Sequence, residues 1–316
     1  MKNKIAIIFL IVITLSFLGF YSYNNSYFIK NIDKPKISFT FDDGSVANMP
    51  NYKLEQWNQM ILDNLKKYNL KAVLFATGSR LTGSRGNYVL SSWNNNGHKI
   101  GNHTYTHPNY NNEKITLKKF ESELIKNDSI INNYSNYYPY FRFPYLKEGN
   151  TIPKRDKFRE FLQEKKYKIG SVTIDASDWF INSRLIKHLK ENKNIDVSGY
   201  QKYYIDHLYD RALYYDSLAY KLIGRKINHV LLLHHNLSTA LFLDKLIEYF
   251  LDNGWEVMDA DKAYTDEIYE VKPDNIPAGE SLIWALAKQS GKFENELRYP
   301  AEDSRYEKDK MDKLGL

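Results

Sequence analysis

Two periodicities alternate along the chain from about residue 37 onward. Short apolar runs with strand-like spacing predict strands at residues 37–41, 72–76, 100–103, 141–143, 169–174, 229–233 and 255–258. Between them, apolar residues at helical spacing predict helices at residues 52–68, 115–131, 158–166, 200–223 and 241–251. Strands that alternate with helices favour a parallel sheet covered by helices. The pattern therefore predicts the α/β class.

Polar and titratable side chains directly follow several of the predicted strands. They are Asp42, Asp43, His103, Arg142, Asp175 and His234. The active site of an α/β barrel lies at the carboxyl ends of its strands. We therefore expect these side chains to share one site, as they would in a (β/α) barrel.

The N-terminus predicts an export segment over residues 1–23. Lys2 and Lys4 precede an apolar run at residues 5–20, which is the arrangement of a signal peptide. The run is short for a transmembrane helix, which needs about 20 residues, and no clear small-x-small cleavage site follows it. A signal peptide and an N-terminal membrane anchor both remain open, and either places the rest of the chain outside the cytoplasm, whether periplasmic, secreted or membrane-anchored.

Composition narrows the possible chemistry. The chain has 316 residues, a formal net charge of +6 and no cysteine. The basic residues form no Lys/Arg-dense stripe, so we expect no nucleic-acid partner. The absence of cysteine excludes disulfides, zinc–thiolate sites and a cysteine nucleophile, so any metal must be held by histidine and carboxylate side chains. The oligomeric state is left open.

His103 and His107 lie four residues apart. On one helical turn or across a tight loop, this spacing lets both imidazoles face one metal ion. Two surface histidines beside a strand end would show the same spacing, but Gly101 nearby favours a shaped loop over a plain helix. We interpret His98 and His229 as hydrogen-bonding structural residues.

Asp42 and Asp43 end the first predicted strand, directly before Gly44. Successive strand side chains point in opposite directions, but a sharp turn at Gly44 can present both carboxylates to one cavity. One could then bind a metal ion while the other accepts a proton. Carboxylates this close repel each other unless a cation compensates. A helix N-cap followed by a turn is the alternative reading.

Five short motifs occur in order, at residues 40–44 (TFDDG), 97–107 (GHKIGNHTYTH), 142–145 (RFPY), 175–179 (DASDW) and 232–234 (LLH). Together they resemble the polysaccharide deacetylase family, the NodB homology domains of carbohydrate esterase family 4. The resemblance covers about residues 36–262. It implies a distorted (β/α) barrel, with a catalytic domain at residues 24–271, a helical insertion around 181–228 and a charged extension at 272–316. The end of the chain from residue 298 is expected to be flexible.

The resemblance also implies roles for individual residues. Asp43, His103 and His107 would hold one divalent metal ion, most often zinc, although cobalt or another ion would fit the same donors. Asp42 would be the general base and His234 the general acid.

Four further residues would complete the site. Arg142 would hold Asp42 in place, the backbone N–H of Tyr145 would bind the oxyanion, and Trp179 would line the pocket for the acetyl methyl group. An acid of the fourth motif would orient its catalytic neighbours, with Asp175 assigned and Asp178 as the alternative.

The chain departs from the family pattern at two positions. Ser45 follows Gly44 where the family usually has proline, and His235 stands where many members have an acid. His234, which directly follows the leucines, is assigned as the general acid in preference to His235.

These observations predict a metal-dependent hydrolase that removes acetyl groups from an N-acetylated glycan such as peptidoglycan, a chitin-like oligomer or an exopolysaccharide. The bond cleaved would be a linear amide that is not a peptide bond, and the partner an acetylated carbohydrate. One alternative is an O-acetyl esterase acting on a polysaccharide such as xylan, and the other is a catalytically silent glycan-binding protein.

Overall fold

Parallel strands bring the motif residues to one edge of a sheet. The computed structural model describes residues 34–298 and 304–316. Its strands are β1 (Lys36–Asp43), β2 (Val73–Ala76), β3 (Lys99–Asn102), β4 (Tyr137–Phe141), β5 (Lys147–Gly149), β6 (Lys168–Ile169), β7 (Asn228–His234), β8 (Glu256–Val257) and β9 (Ala278–Gly279). The main sheet has the order β6-β4-β3-β2-β1-β7 with β8 beside β1, and β5 pairs with β9 in a separate antiparallel ribbon.

The main sheet curls because the chain that follows β4 reaches both of its edges. β6 pairs with β4 at one edge, and Ile174 forms a parallel bridge with Leu231 of β7 at the other. Gly170 lies between β6 and Ile174 and packs against the Phe75 ring. A Cβ added at Gly170 would come within 2.5 Å of that ring. The result is a mostly parallel, curled half-barrel, which confirms the predicted α/β fold.

Helices cover the sheet between the strands. In the described residues they are α1 (Leu54–Lys67), α2 (Gly83–Asn95), α3 (Leu117–Ile131), α4 (Ile152–Glu164), α5 (Asp178–Glu191), α6 (Ser198–Ile223), α7 (Leu237–Asp252), α8 (Ala260–Ala263), α9 (Leu282–Ser290) and α10 (Arg305–Leu314). Thr116, Thr151 and Asn236 cap three of them by accepting a backbone N–H with the side chain.

A hydrophobic core lies between the sheet and these helices. Phe41 of β1, Phe75 of β2 and Leu233 of β7 are fully buried. Central strands of a parallel sheet are covered on both faces, so their side chains are apolar in both directions. Burying each such side chain contributes about 1.5–3 kcal/mol, and the packed core fixes the strand ends that carry the motifs.

Two predicted elements are displaced. The helix predicted at residues 158–166 begins at Ile152, because Thr151 caps it and Pro153 fits its first turn. The strand predicted at 141–143 is β4, which ends at Phe141. Pro139 lies inside β4 and lacks the N–H of a regular ladder, and the register with β3 shifts across this stretch.

The C-terminal extension contributes to the core. Ile283 and Ala287 of α9 and Met311 of α10 are fully buried. Arg184 pairs with Asp312 across 2.7 Å and ties α10 to α5. The expected flexibility is therefore wrong for residues 304–316. A short helix with few apolar residues gives too weak a periodicity to be predicted from the sequence.

The predicted export segment at residues 1–23 lies outside the described residues. Within the part of the chain that the structure describes, no helix combines the length and the apolar character that crossing a bilayer requires.

His98 links folding to pH. Its side chain is buried, and its Nδ1 accepts the Ala72 backbone N–H over 3.2 Å. Burial, with a smaller effect of Lys71, lowers the pKa of His98 from 6.5 to about 4. The unfolded chain takes up this proton near pH 6.5 and the folded chain only near pH 4. The stability contributed by neutral His98 is therefore present above pH 6.5 and is lost as the pH falls towards 4.

When the pH is lowered from 7.5 to 5, we expect the titration of His98 to decrease the free energy of unfolding by about 2 kcal/mol. The substitution His98→Asn keeps an acceptor for the Ala72 N–H but cannot titrate, so it should remove this share of the pH dependence. Urea unfolding of both proteins at the two pH values measures the difference. The same loss of stability in both would contradict the prediction.

Candidate active site

A cavity of about 320 Å³ lies at the carboxyl ends of β1, β3 and β7. It is lined by Asp42, Asp43, Arg80, His103, His107, Tyr145, Leu146, Trp179, Leu232 and His234. The structure thus brings together seven of the residues predicted from the sequence. A cavity of this size suits a small ligand or part of a larger one.

Left-handed backbone conformations shape the loops around this cavity. Asp43 has a φ of 80°, and Thr104, His107, Tyr145 and Ser177 have φ values of 64°, 60°, 57° and 48°. Each such residue costs on the order of 1–3 kcal/mol, and strain of this kind clusters at functional sites. At Asp43 it overrides strand alternation, so that Asp42 and Asp43 both face the cavity. The turn was predicted at Gly44, but it begins one residue earlier, at Asp43.

Asp43, His103 and His107 form a cluster with the geometry of a metal site, their ligand atoms all within 4.8 Å of one another. The Asp43 Oδ1 lies 3.3 Å from His107 Nε2 and 3.9 Å from His103 Nε2. The two Nε2 atoms are 3.2 Å apart. Two imidazoles and one carboxylate suit zinc and similar divalent ions, and they leave a coordination position open.

The hydrogen bond made by His103 leaves its other ring nitrogen free of a proton, as cation binding requires. Its Nδ1 lies 2.8 Å from the carbonyl oxygen of Arg142, which can only accept a hydrogen bond. The ring proton is therefore assigned to Nδ1, and Nε2 presents a lone pair to Asp43 and His107. Acceptor atoms converging in this way repel one another, and a divalent ion between them would relieve the repulsion.

The three candidate ligands are in their metal-binding protonation states at neutral pH. Burial, together with His107, lowers the pKa of His103 well below its usual value. Burial lowers the pKa of His107 to about 4. Burial would raise the pKa of Asp43, but the neighbouring His107, His234 and His103 outweigh it and hold that pKa well below its usual range. Binding of a metal ion would therefore displace few protons.

Arg142 holds Asp42 from behind the cavity. The guanidinium is 1% exposed, and its Nη1 donates to both Asp42 carboxylate oxygens, over 2.9 and 3.1 Å. Its Nη2 donates to Thr40 and to the Tyr264 hydroxyl, and its Nε to the Gly170 carbonyl. Burial raises the pKa of Asp42 to about 6 against the attraction of Arg142. A carboxylate with a pKa near neutrality is suited to accept and release a proton.

Asp178 contacts His234 through two hydrogen bonds. Its Oδ1 accepts the His234 Nδ1–H over 2.6 Å, and its Oδ2 accepts the His234 backbone N–H over 2.9 Å. The left-handed Ser177 directs the chain into α5, so that Asp178 is its first residue. Asp175 is buried but does not line the cavity. Burial raises the pKa of Glu280 against the attraction of Lys147, and charge repulsion from Asp175 adds a smaller effect. Of the two acids that the sequence left open, Asp178 is the one that lies within hydrogen-bond distance of the His234 ring and backbone.

The two departures from the family pattern contact each other. The Ser45 backbone N–H donates to His235 Nδ1 over 3.0 Å. The other ring nitrogen of His235 lies 2.9 Å from Asn58 Oδ1, and the ring packs on Trp57. Proline at position 45 could not donate this hydrogen bond. His235 is thus a buried structural residue, and His234 is the histidine at the cavity.

Arg80 lines the cavity but was not identified from the sequence. Its Nη1 lies 2.5 Å from Asp43 Oδ2, and its side chain is 44% exposed. It belongs to a short 3₁₀ turn after β2 and to none of the five motifs. In the sequence, the only indication of a loop at this place is the Gly78–Ser79 pair that directly precedes Arg80, shortly after a predicted strand.

Tyr145 and Trp179 flank the candidate metal ligands. The Tyr145 ring lies 4.6 Å from the His107 ring and is 44% exposed. Trp179 is the second residue of α5 and lines the same cavity. Both aromatic side chains are therefore available to a ligand that enters the cavity.

Comparison with known proteins agrees with this geometry. Residues 30–167 match the family model described as polysaccharide deacetylase. A peptidoglycan-N-acetylglucosamine deacetylase from Bacillus cereus is 31% identical over 148 residues, which is 46% of this chain and 47% of that protein. A protein of the same description from Listeria monocytogenes is 24% identical over 144 residues, which is 46% of this chain and 27% of that protein. The chain thus matches less than half the length of these curated relatives.

A crystal structure of a polysaccharide deacetylase from Bacillus cereus has the same fold, with a TM-score of 0.52 and 19% identity over 72% of this chain and 92% of that one. The matched family segment contains Asp42, the three candidate metal ligands and Arg142, whereas Asp178 and His234 lie beyond it. The N-terminal half of this chain is thus similar to polysaccharide deacetylases, and the chain shares the fold of one of them.

Proposed function

We propose that this chain is a metal-dependent deacetylase that hydrolyses N-acetyl groups of a glycan, with peptidoglycan as the first candidate substrate. The proposal rests on one cavity that brings together three features: a carboxylate paired with an arginine, a cluster with metal-site geometry, and a histidine hydrogen-bonded to an aspartate. Asp42 is held by Arg142, and His234 is held by Asp178. The names of the relatives from Bacillus cereus and Listeria monocytogenes support peptidoglycan as the substrate.

The proposed ion is zinc, held by Asp43, His103 and His107, and when bound it would supply Lewis acidity to a water molecule and to the acetyl carbonyl. Asp42 accepts the proton of the attacking water at its carboxylate. Arg142 keeps that carboxylate in position through both of its oxygens. The Tyr145 N–H stabilises the developing oxyanion, and a donor of this kind is typically worth about 3 kcal/mol.

His234 then protonates the leaving nitrogen. The Nδ1–H bond to Asp178 fixes the ring so that Nε2 is the nitrogen on the side opposite that carboxylate. The buried carboxylate also stabilises the imidazolium before the proton is transferred. An amide nitrogen leaves only after protonation, whereas an alcohol leaves more easily. This pairing therefore favours N-acetyl over O-acetyl substrates.

We expect Asp178→Asn to lower kcat about 100-fold, because the His234 imidazolium loses its counter-charge. The alkaline limb of the pH–rate profile should move to lower pH, since His234 then loses its proton more readily. Steady-state kinetics with metal content measured on the same samples test this. Asp175→Asn, three residues earlier, is the matched control, and a larger loss in the control would contradict the role of Asp178.

We further propose an extracytoplasmic location. The proposed substrate lies outside the cytoplasm, and residues 1–23 read as an export segment. An acetylated glycan is the partner implied by the family.

Acetate release from three substrates tests the function: peptidoglycan, chitin oligomers and O-acetylated xylan. Release from an N-acetylated glycan supports the proposal. Release from xylan alone would instead indicate an O-acetyl esterase. Glycan affinity without acetate from any of the three would indicate a silent binding protein.

A further inference from the structure

The turn that carries Tyr145 has an unfavourable backbone. Tyr145 and Leu146 have φ values of 57° and 55°, and in the described part of the chain they are the only consecutive non-glycine residues with positive φ. L-residues disfavour this region, so two in succession persist only where neighbouring structure holds them. Both residues line the active-site cavity. The groups that hold this turn therefore bear on the site itself.

The C-terminal extension supplies those groups. β9 pairs with β5, directly after the turn, with Gly279 opposite Lys147. The Glu280 backbone N–H donates to the Leu146 carbonyl oxygen over 2.8 Å, and the Glu280 carboxylate pairs with the Lys147 ammonium. The Leu146 carbonyl is thus held from the side of the extension.

Gly279 makes the contact too close for any side chain. Its φ is 122°, and an added Cβ would lie 1.9 Å from the Leu146 carbonyl oxygen and 3.1 Å from the Glu148 nitrogen. Both neighbouring atoms belong to the backbone, so a larger residue could be accommodated only by moving the turn or β9.

The residues after β9 anchor it to the core. The Leu282 N–H donates to the Val172 carbonyl over 2.7 Å, and Ser281 is 1% exposed at the start of α9. Ile283 is fully buried on α9. A strand anchored in this way can resist the tendency of the turn to relax.

We propose that residues 278–280 are a positioning element of the active site, which holds the Tyr145–Leu146 turn in the conformation that directs the Tyr145 N–H into the cavity. The role assigned to that N–H rests on the proposed deacetylase function. The segment lies more than 100 residues beyond the part of the chain that matches the family model, which ends at residue 167. The C-terminal extension therefore takes part in catalysis without touching the substrate.

Gly279→Ala tests the proposal in the full chain. We expect kcat for acetate release to fall by at least about tenfold, because a displaced oxyanion donor is lost mainly from the transition state. KM and metal content should change little, since Asp43, His103 and His107 belong to β1 and to the segment after β3. Backbone amide exchange over residues 143–149 should become faster.

Gly291→Ala is the matched control. Gly291 also lies in the extension and has a φ of 65°, but an added Cβ there meets nothing within 4 Å. It places an alanine at a positive φ in the same extension without a contact to the turn. Its kcat and its amide exchange over residues 143–149 should equal those of the wild type.

Glu280→Gln serves as a second variant in case Gly279→Ala does not fold. It keeps the backbone N–H and weakens only the pairing with Lys147, so we expect faster exchange over residues 143–149 and kcat lowered about threefold. Wild-type kcat and exchange in both Gly279→Ala and Glu280→Gln would overturn the inference. If the wild type releases no acetate, the proposed function fails, and the exchange rates alone then decide whether residues 278–280 hold the turn.

Discussion

Asp42→Asn is expected to lower acetate release about 10²–10⁴-fold while the protein retains its metal ion. The amide has nearly the same size as the carboxylate and can still accept a hydrogen bond from Arg142. It cannot take a proton from water at neutral pH. The lost step is therefore proton transfer, and we expect kcat to fall with little change in metal content, measured by elemental analysis of the same preparation.

Asp216→Asn is the control for removing a partly buried carboxylate. Asp216 pairs with Lys226 and lies 3.5 Å from His229, and it does not line the cavity. We expect this control to lose stability but to keep its turnover per folded molecule. If Asp42→Asn kept more than about a tenth of the wild-type turnover, Asp42 would not be the general base.

Asp43→Ala is expected to weaken metal binding by well over 100-fold, more than the loss of a group that only supports a ligand. It removes the single anionic donor of the cluster and leaves two neutral imidazoles. Turnover should fall with metal content, which distinguishes this variant from Asp42→Asn. Titration of the metal-free proteins with Zn²⁺ measures the affinities.

Arg80→Ala is the matched control for Asp43→Ala. Arg80 contacts the Asp43 Oδ2, whereas the two histidines face Oδ1. Its removal takes a cation away from the carboxylate without removing a donor atom, so the metal should remain bound. Stoichiometric, tight binding by Asp43→Ala would show that the ligand set is wrong.

The spacing of apolar residues predicted the fold class because each strand and helix must match its own burial pattern, and that pattern is visible within a short stretch of sequence. A central strand of a covered parallel sheet must be apolar on both faces, and the helices over it must be apolar on one. The strands and helices around Phe41, Phe75 and Leu233 meet these requirements. Where the signal was weak, as in the proline-containing β4 and the charged α10, the prediction misplaced or missed the element.

The candidate site was predictable as far as strand ends determine it. Asp42 and His234 lie at the carboxyl ends of β1 and β7, and His103 directly follows β3, so the parallel topology brings them to the same end of the sheet. The choice between Asp175 and Asp178 depends on a single left-handed residue, Ser177, whose conformation has no sequence signal. The contact of Gly279 with Leu146 joins segments 133 residues apart in the chain, and only tertiary packing reveals it.

The most direct test is acetate release from peptidoglycan and chitin oligomers by the wild-type protein, before and after metal removal with a chelator and after Zn²⁺ is returned. Metal content is measured at each step. We predict that acetate release disappears with the metal and returns with it, and that Asp43→Ala recovers neither. Acetate release that continues at the wild-type rate in the metal-free protein would contradict a metal-dependent mechanism at Asp43, His103 and His107.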